Sequence, residues 1–212
     1  MKFKNLEIEK FGQSCFSIAN GKKVYFDPYN VAGGSSEAEI ILISHSHYDH
    51  CSIEDLKRIV QDGTIVVCTA DCQSKLTKLD KKIDIKILEP GNQIEIKGIK
   101  IKAIPAYTFS EYHPKDENWN GYVVEVEGVR VYHAGDSDLI PEMSSLGKID
   151  LAFLPVGGTY TMDAEQASRA ALIIKPELAI PMHYGDVIGT KEDALRFQEL
   201  CENEIEVEVL GN

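Results

Sequence analysis

The sequence predicts an α/β (α+β) protein built as a layered sandwich, with helices outside two packed β-sheets. Three observations predict it. Strand-like segments outnumber helical ones, and helices follow strands in both halves of the chain. The short apolar runs at residues 40–43 and 151–154 read as strands buried on both faces. No low-complexity linker or short-period repeat interrupts the 212 residues, so residues 1–212 read as one domain, long enough to bury a substantial core.

The elements follow in order. Residues 15–19 and 23–27 flank Asn20-Gly21, a hairpin turn signal. After the apolar run at 40–43, Ser52 reads as a helix N-cap with Asp55 three residues on, and that helix runs to about residue 61. Strands are expected at 64–68 and 83–88, then a long alternating stretch at 93–104. A second hairpin spans 121–126 and 129–132, turning at Glu127-Gly128. A helix at 163–174 is ended by Pro176, a short strand follows at 178–180, and Thr190 with Asp193 opens a last helix to about Cys201.

Composition excludes several functions. The formal net charge of −12 disfavours nucleic acid, because phosphate binding rests on clustered Lys and Arg, and Lys22-Lys23 and Lys81-Lys82 are too short to form a patch. No apolar run is long enough for a membrane span, and the first residues lack the apolar stretch of a signal peptide, so the expected location is cytoplasmic. The five cysteines are odd in number and irregularly spaced, with no CxxC pair, which argues against a disulfide framework and against a Cys-based structural zinc site. The expected partner is a small-molecule substrate, an anionic one included where metal ions supply local positive field. A homo-oligomer is compatible with the composition.

The chemistry is carried by His45-Ser46-His47-Tyr48-Asp49-His50, on the loop between a buried strand and a helix. A shuffled chain with six His would contain H-x-H-x-D-H in roughly three cases in ten thousand, so the motif is specific. His45 and His47, two apart, point the same way in an extended segment; Asp49 continues that spacing and His50 comes from the turn into the helix. Imidazole and carboxylate ligands suit Zn²⁺, Mn²⁺ and Fe²⁺. Four such groups in six residues exceed what one tetrahedral ion with an open position takes from a short loop, so two ions are expected. Cys51, directly after His50, reads as packing rather than as a nucleophile.

The motif resembles the metal loop of the metallo-β-lactamase-fold superfamily, and other segments resemble the rest of its pattern. Tyr132-His133-Ala134-Gly135-Asp136-Ser137 is similar to the strand-end element whose Asp bridges both metals. Pro181-Met182-His183-Tyr184-Gly185 is similar to the last metal motif, and Phe26-Asp27-Pro28 to the turn after an early strand. Leu154-Pro155-Val156-Gly157-Gly158 followed by Thr161-Met162 resembles the branch of ascorbate-6-phosphate lactonase-like proteins and uncharacterised metal-dependent hydrolases. The resemblance implies a four-layer αββα sandwich holding two divalent ions, Zn above Mn or Fe. One ion is bound by His45, His47 and a third nitrogen, the other by Asp49, His50 and His183, and Asp136 bridges them. It implies a bridging hydroxide that cleaves a small ester, lactone or phosphodiester, with Asp49 and Asp136 in catalytic roles. The alternatives are a nuclease acting on RNA phosphodiesters and a non-catalytic metal-binding sensor or scaffold.

Two departures stand out. Many relatives carry a His where Thr108 stands; here the nearest downstream His is His113, either a replacement ligand or a surface loop residue. Relatives often have Gly-His-Ser where this chain has Gly12-Gln13-Ser14. His133, three residues before Asp136, is expected to make a supporting hydrogen bond or to pack. Tyr107, Trp119, Tyr160 and Tyr184 lie near the motifs and either shape the substrate pocket or serve as core aromatics.

Overall fold

The fold is described from a computed structural model covering residues 1–211. The chain forms two compact units, Met1–Glu89 and Pro90–Gly211.

The first unit is a seven-stranded sheet whose strands lie side by side in chain order. They are β1 (Lys2–Phe3), β2 (Leu6–Lys10), β3 (Phe16–Asn20), β4 (Lys22–Phe26), β5 (Ile40–Leu42), β6 (Ile65–Cys68) and β7 (Asp84–Ile87). Pairing is antiparallel from β1 to β4 and parallel from β4 to β7. In β2 the alternation is plain: Leu6 and Ile8 are buried, Glu7 and Glu9 exposed. The expected hairpin forms, with Gly21 at φ 73 between Asn20 and Lys22, a backbone region Gly adopts at no steric cost. In the parallel half Tyr25, Ile41 and Val66 stand in one cross-strand row. They pack with Leu56 and Ile59 of helix α1 (Ile53–Ile59) and with Leu76 of the short helix α2 (Gln73–Leu76). Each such buried side chain contributes roughly 1.5–3 kcal/mol. Ser52 caps α1 as expected, accepting from the Asp55 backbone N–H, but the helix stops at Ile59 because Val60 turns extended.

The second unit repeats this arrangement: β8 (Gln93–Ile96), β9 (Ile99–Pro105), β10 (Asn120–Val126), β11 (Val129–His133), β12 (Leu151–Pro155), β13 (Leu178–Met182) and β14 (Glu206–Val207) again lie in chain order. β8 to β11 pair antiparallel and β11 to β14 parallel. The alternating stretch at 93–104 is two strands rather than one, turning at Lys97 (φ 51) and Gly98 (φ 80). Helix α3 (Ala164–Ile174) carries a capping box between Asp163 and Gln166, and α4 (Lys191–Cys201) one between Thr190 and Asp193. α3 ends at Lys175, in a left-handed conformation just before Pro176. Among the described residues no helix is long and apolar enough to cross a membrane.

Both units place their motif residues just past the carboxyl ends of strands: Asp27 after β4, His45 after β5, Asp136 after β11 and His183 after β13. Parallel α/β sheets offer ligand positions at those ends.

Candidate functional site

In the first unit the metal-type residues are oriented by a carboxylate that sequence reasoning quoted without giving it a role. Asp27 is 1% exposed and holds a left-handed φ of 43. Its Oδ1 accepts the Ser44 backbone N–H at 2.7 Å, and its Oδ2 accepts the Ser44 hydroxyl at 2.7 Å and lies 2.8 Å from His50 Nδ1. A carboxylate only accepts, so the proton sits on His50 Nδ1 and the ring's lone pair is at Nε2, on the side of Asp49 Oδ2. The same logic reaches His45. The Ser44 hydroxyl spends its one proton on Asp27, so its oxygen accepts from His45 Nδ1 at 2.9 Å, which puts that ring's lone pair at Nε2, 3.0 Å from His47 Nδ1. Ser44 therefore fixes a tautomer from a position the motif does not include.

The loop itself is a turn in which the His47 carbonyl accepts from the His50 and Cys51 N–H groups at 3.2 and 2.8 Å. Lys75, on α2, donates to the Ser46 carbonyl. His45 Nε2 lies 3.0 Å from His47 Nδ1, and His50 Nε2 lies 3.5 Å from Asp49 Oδ2. Two donors each about 2.0–2.1 Å from a tetrahedral ion stand roughly 3.3 Å apart. The observed separations fit that edge length, and the nitrogen and oxygen donors suit a borderline divalent metal.

The second unit holds a cluster of the same kind. His113 Nε2 and His183 Nε2 both point at Asp136 Oδ2, at 3.3 and 3.2 Å. All three residues are nearly fully buried. His113 is no surface loop residue, being 2% exposed, and the reason lies in the departure at position 108. Thr108 N–H donates to the His113 carbonyl at 2.8 Å, and His113 N–H donates to Thr108 Oγ1 at 3.3 Å. The loop thus leaves at Thr108 and returns His113 to the same place, where its ring and that of Trp119 meet edge-to-face with centroids 5.2 Å apart. His133 both bonds and packs. Its Nδ1 accepts the Gly135 N–H at 3.2 Å, bracing the turn before Asp136, and its ring lies beside Phe153.

His183 follows β13 with φ 59, a strained backbone for a non-glycine residue. Gly157 makes room for it. A Cβ on Gly157 would meet the His183 carbonyl at 2.5 Å and its Nδ1 at 3.2 Å. Gly157→Ala is therefore expected to displace His183 and cost about 1–3 kcal/mol of stability, with a matching loss of metal affinity. Thermal denaturation with and without added Zn²⁺ checks this. An unchanged melting temperature in both conditions would refute the packing role.

The aromatic candidates divide. Tyr184 is buried and donates to the Leu210 carbonyl at 3.0 Å, and burial pushes its pKa up to about 12. Tyr107 donates to Glu142 at 3.1 Å, with Lys115 over its ring at 4.6 Å. Tyr160 keeps partly exposed ring surface and meets Tyr112 edge-on at 4.8 Å. Tyr112 and Phe109 are 49% and 73% exposed on the loop that returns His113, and sequence reading passed over both. Gln13 is buried with φ 47, in a turn closed by Cys15 N–H to the Gly12 carbonyl at 2.6 Å.

Residues 7–183 match a family model described as a beta-lactamase superfamily domain. A UPF0173 metal-dependent hydrolase of Thermoplasma acidophilum is 36% identical over 208 residues, covering 93% of this chain and 91% of its own. This chain belongs to the UPF0173 metal-dependent hydrolases of the β-lactamase superfamily. A UPF0173 metal-dependent hydrolase of Thermococcus onnurineus is 33% identical over 219 residues, with 97% and 96% of the two chains covered. A solved structure from Parabacteroides distasonis, assigned as a metal-dependent hydrolase, superposes with a TM-score of 0.84 at 32% identity, covering 96% of this chain and 92% of that one. The expected metallo-β-lactamase fold, with its two mixed sheets and few helices, is thus the fold of this UPF0173 hydrolase. Its His/Asp clusters are the candidate metal ligands that such an enzyme requires.

Proposed function

We propose that residues 1–212 act as one dinuclear hydrolase domain cleaving a small ester, lactone or phosphodiester. The observation that carries this is the convergence of His113 and His183 on one oxygen of Asp136, the arrangement a bridging carboxylate needs. In this reading His45, His47 and His113 hold one ion, Asp49, His50 and His183 the other, and Asp136 serves both. Zn is the favoured metal, with Mn and Fe also suited to these donors. The segment from Leu154 to Gly158 with Thr161-Met162 supports a lactonase-like branch.

Bound divalent ions supply Lewis acidity and make a water molecule acidic near neutral pH. The chain's own residues do the rest. Asp27 and Ser44 set the tautomers of His50 and His45. Asp49, 6% exposed, is placed to orient the attacking water and to take its proton on a carboxylate oxygen. Tyr112, exposed, and Tyr160, partly exposed, offer ring surface for substrate, with Tyr107, Trp119 and Tyr184 shaping the pocket wall.

Metal analysis tests the reading. Purified protein should carry close to two Zn, Mn or Fe per chain, and chelation should lower both melting temperature and hydrolysis, with metal addition restoring them. Protein free of transition metal whose melting temperature and activity ignore added metal would sink it.

A further inference from the structure

The loop that carries His113 leaves β9 after Pro105, and one carboxylate joins its two ends. Glu142 lies in the 3-10 turn Pro141–Ser145. Its Oε2 accepts from the Tyr107 hydroxyl at 3.1 Å, and its Oε1 accepts from Lys115 Nζ at 3.1 Å. Lys115 also donates to the Tyr107 hydroxyl at 3.4 Å, and its ammonium stands over the Tyr107 ring. The directions agree. The ammonium donates twice, the phenol accepts once and donates once, and the carboxylate accepts once on each oxygen.

Tyr107 comes before His113 and Lys115 after it, so the three side chains close the base of the loop. The Tyr107 end is also held through the backbone. Asp138 N–H donates to the Tyr107 carbonyl at 2.9 Å, and Phe109 N–H donates to Asp138 Oδ2 at 2.8 Å. At the other end Pro114 has no N–H to donate, and Lys115 reaches the base of the loop through its side chain.

We infer that Glu142 is a positioning residue: by joining Tyr107 to Lys115 it holds the loop in the form that brings His113 to Asp136. The clasp does not depend on the proposed function; its effect on metal binding rests on His113 being a ligand, as proposed above. An exposed ion pair is worth little by itself, and the Lys115 and Glu142 side chains are 61% and 30% exposed. The phenol changes the balance. Tyr107 is buried, so loss of Glu142 takes the acceptor from a hydroxyl on a residue that water reaches poorly.

Phe109 and Tyr112 stand exposed between the two ends, and chymotrypsin cuts after such residues, so opening of the loop is read by proteolysis. Full-length protein, Zn-loaded and chelated, is digested briefly and the fragments are mapped. Glu142→Ala is expected to be cut after Phe109 or Tyr112 at least about fivefold faster than the parent. Glu142→Gln keeps an acceptor for the phenol and should fall between. Lys115→Ala should speed the same cuts, and adding it to Glu142→Ala should change little, because the two act as a unit. These two variants keep the test open whatever Glu142→Ala does to folding. Zn²⁺ gives a second readout that a merely structural role would not move. Added Zn²⁺ should slow the same cuts, and Glu142→Ala should need about three- to tenfold more of it for half protection. Equal cleavage in parent and variants would overturn the inference, as would faster cleavage spread over the whole chain or an unshifted Zn²⁺ midpoint. Faster cleavage at the two sites that ignores Zn²⁺ in every protein would leave the clasp standing and remove His113 from the metal centre, a failure of the proposed function instead.

Discussion

Asp136→Ala is expected to lower kcat/KM by at least about 10³-fold, several kcal/mol of lost charge stabilisation and metal binding. The reason is the sharing. One carboxylate oxygen faces both His113 Nε2 and His183 Nε2, at 3.3 and 3.2 Å, so its removal deprives two histidines of their common partner. Asp136→Asn keeps the shape and one acceptor oxygen but loses the charge, and should fall between the two. The measurements are metal content by elemental analysis and hydrolysis of a panel of lactones, esters and bis(p-nitrophenyl) phosphate, with circular dichroism to show that the fold survives. Activity within tenfold of the parent at full metal loading would remove Asp136 from the centre.

Asp27→Ala is expected to produce the largest loss of stability. The change strands three donors at once, the Ser44 N–H and hydroxyl and His50 Nδ1, in a site 1% exposed. Leaving buried donors without acceptors costs about 1–3 kcal/mol each before relaxation, so a total of about 3–5 kcal/mol is expected. In a chain of this size that lowers the melting temperature by on the order of 10 °C. The orientation of His50 goes with it, and metal affinity should fall by roughly 10–100-fold. Asp27→Asn separates the two effects: Asn tolerates the left-handed backbone and keeps one acceptor, so it should fold better than Ala while still binding metal poorly. A melting temperature within 2 °C of the parent and unchanged metal affinity for Asp27→Ala would contradict this role.

The candidate ligand loop stands out because four ligand-type residues crowd into the short segment His45–His50, which needs no knowledge of the fold. Hairpins announced by Asn20-Gly21 and Glu127-Gly128 and helices opened by Ser52 and Thr190 were legible for the same local reason. The turn at Lys97-Gly98 left a weaker mark. The apolar positions pass from even (Ile94, Ile96) to odd (Ile99, Ile101), and continued alternation hides that change of parity. What escaped altogether depends on distant pairing. Asp27 acts on Ser44 and His50, 17 and 23 residues away, and nothing near Asp27 announces it. His113 is brought to Thr108 by loop closure, which spacing alone cannot reveal. Cys15, Cys51, Cys68 and Cys72 look scattered in the sequence, yet all four fall in one core cluster of the first unit.

The side-by-side strand order has a consequence for how the chain is made. In each sheet every strand pairs with the strand before or after it in sequence, so no pairing waits for a distant segment. The amino-terminal sheet has all its strands once β7 ends at Ile87, while the second unit has still to be synthesised at roughly 5–20 residues per second. Short closure distances favour fast folding, and a nascent chain that completes one sheet before the next begins exposes fewer unpaired edges to its neighbours.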